Sequence, residues 1–282
     1  MSMTALNGSR RRSLLALAAW LGIAGRTAAA ADAPLRIGLA PYLSPVALLA
    51  AFRPMREHLE RTLAGPVEMV TAKDFAALID ATRRGDYDAA LLPAHIAWLA
   101  VADWRFEPLA NVNDPVAVQI LVRAGGPIKN VSDLRGGRAG MLDAISLTAT
   151  VGRQWLQEQG LATSVTVVAL PSINSAMISL DRGEVEMVVA GASQLVSLPV
   201  GTPRTERVLA AVREIPGPVY VADPRLAPTE VARLRAALLA YRPDPSRPVT
   251  TTNAVLRSVS AEQLATLEPF AAQVRRALAS RP

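Results

Sequence analysis

The segment Arg84-Gly85-Asp86-Tyr87-Asp88-Ala89-Ala90-Leu91-Leu92-Pro93-Ala94 has a counterpart in Arg182-Gly183-Glu184-Val185-Glu186-Met187-Val188-Val189-Ala190-Gly191-Ala192. Each reads as a helix end, a glycine stop, an acidic-x-acidic turn, an unbroken apolar strand and a turn of small residues. A strand apolar on both faces belongs in a parallel sheet covered by helices on either side. The units before each segment also follow one order: strand, loop, helix, strand, loop, helix. This pattern predicts an α/β chain of two lobes with common architecture joined by two crossover strands. A single doubly wound domain is the alternative.

In the first half, strands are expected at 35–40, Val67–Thr71 and Asp88–Leu92, with Pro108–Asn113 closing the run. Helices are expected from Ser44-Pro45, which has N-cap and N1 chemistry, to Leu63, and over Asp74–Arg84 and Pro93–Val101. Val116–Arg123 is apolar throughout and suits a crossover. The alternation then restarts: strand Arg138–Leu142, helix Thr148–Gln159, strand Val165–Ala169, helix Ser172–Arg182, strand Glu186–Ala190. Val208–Arg213 is the second crossover, followed by strand Val219–Ala222 and helices Pro228–Tyr241 and Ala261–Ala279, with Arg242–Thr252 a proline-rich loop. The expected division is 1–31 as a leader, 32–115 plus 216–282 as one lobe, and 116–215 as the other.

The leader has the layout of an export signal. Arg10-Arg11-Arg12 precedes the apolar run 14–24, and Ala28–Ala31 offers small-residue cleavage sites. The run is shorter than the ~20 residues a membrane span needs. Sec export is the expectation; the arginines before Ser13-Leu14-Leu15 also resemble a twin-arginine signal, and an uncleaved amphipathic N-terminus is the alternative. The formal charge of +6 includes Arg10, Arg11, Arg12 and Arg26, so the rest of the chain is close to neutral. Near-neutrality argues against a nucleic-acid partner. With no cysteine and only His58 and His95, disulfides and thiolate chemistry are excluded and neither a metal site nor a cofactor is expected.

In parallel sheets, ligands bind beyond the carboxyl ends of strands, where helix N-termini offer unpaired N–H groups and partial positive charge. Five strand-to-helix turns qualify: Tyr42-Leu43-Ser44, Leu92-Pro93-Ala94-His95, Asp143–Thr150, Pro171-Ser172-Ile173-Asn174 and Ala190-Gly191-Ala192-Ser193. If two lobes face each other, these turns line one cleft that hinge closure buries. The expected ligand-binding residues are therefore Tyr42, Ser44, Ala94, His95, Asp143, Ser146, Thr148, Ser172, Asn174 and Gly191. No catalytic residue is expected. The chain lacks Gly-x-x-x-x-Gly-Lys, Gly-x-Gly-x-x-Gly and Gly-x-Ser-x-Gly, since Gly191-Ala192-Ser193 continues as Gln194-Leu195. The paired acids Asp86/Asp88 and Glu184/Glu186 stand at strand starts, away from the expected cleft, and read as turn formers.

The chain resembles the PhnD-like family of periplasmic solute-binding proteins, which serve ABC importers of phosphonate, phosphite and related solutes. The resemblance lies in Leu35–Pro45, Thr71–Phe75, Gly85–Ala90, Val131–Arg138 and Arg182-Gly183-Glu184, and covers roughly residues 34–240. It implies a type 2 periplasmic-binding fold, a periplasmic location and an ABC permease as partner. The family's Ser-Thr-Ser-Gly anion turn corresponds to Ser146-Leu147-Thr148-Ala149, its tyrosine after the third strand to Ile96, and its Ser-His pair to Ser172-Ile173, with Asn174 next; Tyr42 is retained. Fewer polar partners suit a small anion that is less charged or partly apolar, because an unmet buried charge is costly. A ligand-sensing subunit for a membrane histidine kinase, and a small periplasmic enzyme on the same fold, are the alternatives.

Overall fold

A computed structural model describes residues 33–113 and 115–279. The leader 1–31, with its export-route expectations, lies outside the described residues. The first sheet is built around β1 (Leu35–Leu39), which pairs in parallel with β2 (Val67–Thr71) and β3 (Ala89–Leu92). β10 (Val219–Ala222) lies antiparallel to β3 and to β4 (Glu107–Val112), and β11 (Leu256–Arg257) adds the edge, giving the order β11-β4-β10-β3-β1-β2.

The second sheet repeats the plan. β6 (Arg138–Met141) pairs in parallel with β7 (Thr166–Ala169) and β8 (Met187–Gly191); β5 (Val116–Arg123) runs antiparallel to β8 and to β9 (Glu206–Ile215), for the order β7-β6-β8-β5-β9. The chain passes between sheets twice, at β4–β5 and β9–β10. These are the two crossovers expected of a two-lobed α/β fold.

The twin segments play twin roles. After α2 (Phe75–Arg84), Gly85 is left-handed at φ 74°; after α5 (Ile173–Asp181), Gly183 is left-handed at φ 71°. The acids that follow tie the starts of neighbouring strands together. Asp88 donates its N–H to Arg36 O (2.9 Å) and accepts from Arg36 N at Oδ2 (2.8 Å); Glu186 does the same with Arg138, at 2.9 and 2.6 Å. They sit at the amino ends of the strands, as their reading as turn formers requires.

The helices follow apolar faces and capping residues. α1 (Pro45–Leu63) buries Leu48, Phe52, Met55 and Leu59. Asp74 caps α2 by accepting from Ala77 N, and Ser172 caps α5 by accepting from Ser175 N. Gly152 in α4 (Leu147–Glu158) lets that helix approach β8 so closely that a Cβ would stand 2.8 Å from Val189 Cγ2. One apolar cluster fills both sides of the first sheet and continues into Leu142, Ile145, Ile173 and Leu180 of the second half, so the two halves touch. A second cluster, around Ile120, Met141, Val151, Trp155 and Met187, lies within the second half.

Some boundaries differ from expectation. α3 (Ala94–Trp104) runs past Val101 until Arg105 adopts φ 62° and donates its N–H to Ala100 O. A short α6 (Ala192–Val196) follows β8, and α7 (Pro228–Ala240) falls as expected. The C-terminal helix is two, α8 (Ala261–Ala265) and α9 (Glu268–Ala279), because Pro269 has no N–H to give to the carbonyl four residues earlier. No helix among the described residues is long and apolar enough to cross a membrane.

Candidate ligand cleft

The carboxyl ends of β1, β3 and β6 converge on a cavity of about 60 Å³. The first sheet contributes Ala40, Tyr42, Phe75, Leu91, Pro93 and Ala94; the second contributes Leu142, Ser146, Leu147, Thr148 and Gln194. Pro216 and Pro218 of the β9–β10 crossover, and Thr251 from the loop after α7, complete it. Among the described residues, no charged side chain stands in this lining. The polar groups are three hydroxyl-bearing residues besides Tyr42, and one amide.

Two helices begin at the cavity. Pro93 and Ala94 are the N-cap and first residue of α3, and Ser146, Leu147 and Thr148 the N-cap and first two residues of α4. Their leading N–H groups have no intrahelical acceptor and carry the positive end of the helix dipole. Ser146 Oγ accepts from Ala149 N at 3.2 Å and lies 3.4 Å from Thr148 Oγ1. In that pair either hydroxyl can be the donor. The Tyr42 hydroxyl is fully buried and meets no partner in hydrogen-bond geometry among the described residues, although Thr251 is its polar neighbour. Burial raises its pKa above the ordinary phenol value, so it is a neutral donor.

Four of the ten expected residues therefore line the cavity: Tyr42, Ala94, Ser146 and Thr148. The other six surround it in different roles. Ser44 stands at the N-cap position of α1 without a side-chain cap bond, and its N–H points to Asn174 Oδ1 at 3.4 Å; Ile173 N donates to Tyr42 O at 3.2 Å. These bonds join the β1–α1 turn to the start of α5, where Ser172 is occupied as N-cap. Asp143 shapes the turn before α4, accepting from Ile145 N at Oδ1 and from Ser146 N at its carbonyl, both 2.8 Å. Gly191 N donates to Gln194 Oε1 at 2.9 Å, which turns the chain so that Gln194 reaches the lining. His95 is wholly buried behind the cavity, its Nε2 2.8 Å from Ile145 O.

Sequence reasoning missed Phe75, Gln194 and Thr251. The signal for Thr251 was the polar run Thr250-Thr251-Thr252-Asn253, which is buried despite following a proline-rich loop. Asn253 fixes that run: its Nδ2 donates to Asp244 O, Arg247 O and Pro248 O, and its Oδ1 accepts from Asp244 N.

Two facing α/β lobes, twice connected, with a cavity between the carboxyl ends of their strands, define the type 2 periplasmic-binding fold. Residues 37–274 match the family described as ABC transporter, phosphonate, periplasmic substrate-binding protein, and the chain belongs to that family. Its members are exported, bind small solutes and work with ABC permeases. PhnD1 from Prochlorococcus marinus, in complex with methylphosphonate, superposes with a TM-score of 0.73 at 12% identity, over 86% of this chain and 98% of that one. A binding protein component of an ABC phosphonate transporter from Pseudomonas aeruginosa gives 0.73 at 16% identity, over 87% and 89%. The alkanesulfonate-binding protein SsuA from Xanthomonas axonopodis pv. citri, bound to MOPS, gives 0.58 at 19% identity, over 89% and 95%. No curated protein matches the sequence.

Proposed function

We propose that this chain is the extracytoplasmic solute-binding component of an ABC importer, and that it captures a small oxyanion bearing an apolar substituent, of the phosphonate or sulfonate type. Residues 32–115 with 216–282 form one lobe and 116–215 the other, and they close on the ligand about the two crossovers. Residues 1–31 direct export to the periplasm, by Sec or, with the paired arginines, by the twin-arginine route. Capture involves no chemistry on the solute.

One observation carries this reading: the cavity joins two helix N-termini to an apolar wall and, among the described residues, holds no charged side chain. Backbone amides of α3 and α4, with Tyr42, Ser146, Thr148 and Thr251, would bond the acid oxygens. Phe75, Leu91, Leu142 and Leu147 would hold the organic group. Names of structural relatives agree, since one holds methylphosphonate and another is an alkanesulfonate-binding protein. Asn174 and Ser44 act by holding the lobes together, and Ser172 by capping α5.

The test is a thermal-shift series with methylphosphonate, phenylphosphonate, phosphite, methanesulfonate, phosphate and acetate. A ligand at 100 times its Kd should add about 2.7 kcal/mol, or roughly 5–10 °C for a chain of this size. An alkyl- or arylphosphonate or a sulfonate should surpass phosphate. Phosphate or acetate alone shifting the transition would refute the ligand class, and turnover of any solute would refute the capture mechanism.

A further inference from the structure

His95, one of the expected ligand residues, stands at the seam between the lobes. It stands in the first turn of α3, in one lobe; its Nε2 meets the carbonyl of Ile145, in the other, at 2.8 Å. A carbonyl only accepts, so Nε2 carries the proton and Nδ1 is left as a buried acceptor with no partner among the described residues. Ile145 immediately precedes Ser146, the N-cap of α4, so this bond sets α4's leading amides over the cavity. We propose that His95 is a positioning residue and a proton-operated latch: its neutral ring holds the lobes closed, and protonation releases them.

The reason is geometric. In the closed form the ring is 0% exposed, and a second proton on Nδ1 would be sealed in with nothing to accept its hydrogen bond. Opening removes Ile145 from Nε2 and admits water to the ring. Among the described residues, charged groups on the surrounding elements are engaged elsewhere: Glu107 of β4 pairs with Arg235, and Glu262 of α8 accepts from Ser260. On α3 and α9, Asp103, Glu268 and Arg275 pair with one another; Asp143, before Ile145, is engaged with Ile145 N; Tyr42 and Tyr220 are neutral phenols. Burial accordingly lowers the closed-state pKa of His95 to about 4, the Ile145 bond opposing the shift only in part.

An open-state histidine titrates near 6.5. The closed form therefore binds fewer protons between these values, and closure is favoured above pH 6.5 and lost as pH falls towards 4. The closing equilibrium should weaken about tenfold by pH 5.5 and about thirtyfold by pH 5.0.

The proposal rests on the two-lobe closure reading, but its test requires no knowledge of the natural ligand. Cysteines introduced at exposed Lys73, just after edge strand β2, and Ala169, the last residue of edge strand β7, carry spin labels in a chain that has no cysteine of its own. Interlobe distances are read from pH 7.5 to 5.0, with and without methylphosphonate, alongside imidazole NMR in which His58 is the second histidine. The wild type should open as pH falls, with His95 as the Nε2–H tautomer titrating well below the ordinary value. His95→Gln, which can still donate to Ile145 O but does not titrate, should remain closed throughout. Equal pH-dependent opening in His95→Gln, a pH-independent distance in the wild type, or an ordinary titration of His95 in the closed form would overturn the latch. If methylphosphonate fails to bind while the distance and NMR signatures hold, the ligand proposal fails and the latch stands.

Discussion

Tyr42→Phe should make the ligand-free protein more stable and its binding weaker. The hydroxyl is fully buried at the cavity and unmatched in hydrogen-bond geometry. Burying a hydroxyl without a partner costs about 1–3 kcal/mol. Removing it leaves the ring packed among Ala40, Leu91 and Pro93 at nearly constant volume, so Tm should rise by about 2–4 °C for each kcal/mol recovered. An anion in the cavity would satisfy the same hydroxyl by a charge-assisted bond, worth about 1.5–3 kcal/mol, so Kd should rise roughly 10- to 150-fold. Calorimetric Tm without ligand and titration calorimetry with methylphosphonate measure the two effects on one preparation. A fall in Tm with unchanged affinity would show that the hydroxyl is already bonded, with Thr251 as the candidate, and would remove Tyr42 from the site. Thr251→Val isolates that case.

Three further substitutions test the scaffold. Gly38→Ala would place a Cβ 2.6 Å from the Tyr87 ring, and should cost about 1–3 kcal/mol in urea unfolding with an unchanged m-value; wild-type stability would show that Tyr87 moves aside. Asn253→Ala removes four bonds inside the loop that carries Thr251, and should cost about 2–3 kcal/mol and weaken binding; a loss of stability with full affinity would detach Thr251 from the ligand. Glu186 is held below the usual carboxylate range, first by its bond from the Arg138 side chain and also by Arg138 N. A lowered pKa stabilises above the unfolded value of about 4.3 and is lost as pH falls through the native one. Glu186→Gln should thus cost about 1 kcal/mol at pH 7, the side chain being partly exposed, and converge with the wild type as pH falls through the native carboxylate's lowered titration; a pH-independent difference would point to packing.

The fold was legible because two periodic signals agreed. Apolar runs such as Ala89–Leu92 and Met187–Gly191 fix parallel strands, and capping residues such as Asp74, Ser172, Gly85 and Gly183 fix the helix ends between them. Errors lie where local sequence and tertiary contact part. α3 continues to Trp104 because its last turn packs on α9, where Trp98 Nε1 donates to Glu268 and Arg275 holds Asp103. No residue near Val101 announces that support. β9 outruns its apolar centre for a similar reason: it is held along its whole length by β5, so polar Glu206 and Arg207 are still strand.

The ligand cleft was legible in place and only partly in composition, and the cause is physical. A site made from helix N-termini binds through backbone N–H groups, which every residue but proline supplies. Ala94 and Leu147 can thus replace polar residues without removing a donor, and sequence gives no sign of their participation. Side chains of the right chemistry, meanwhile, can be used for geometry. Asn174 and Asp143 are spent on turns and lobe contacts, and His95 on Ile145, one residue before the N-cap it helps to place. Distinguishing a ligand donor from a positioning residue needs the direction of one bond. In this cleft, that distinction separates Tyr42, whose hydroxyl faces the cavity beside Thr251 with no partner in hydrogen-bond geometry among the described residues, from His95, whose partner is already the opposite lobe.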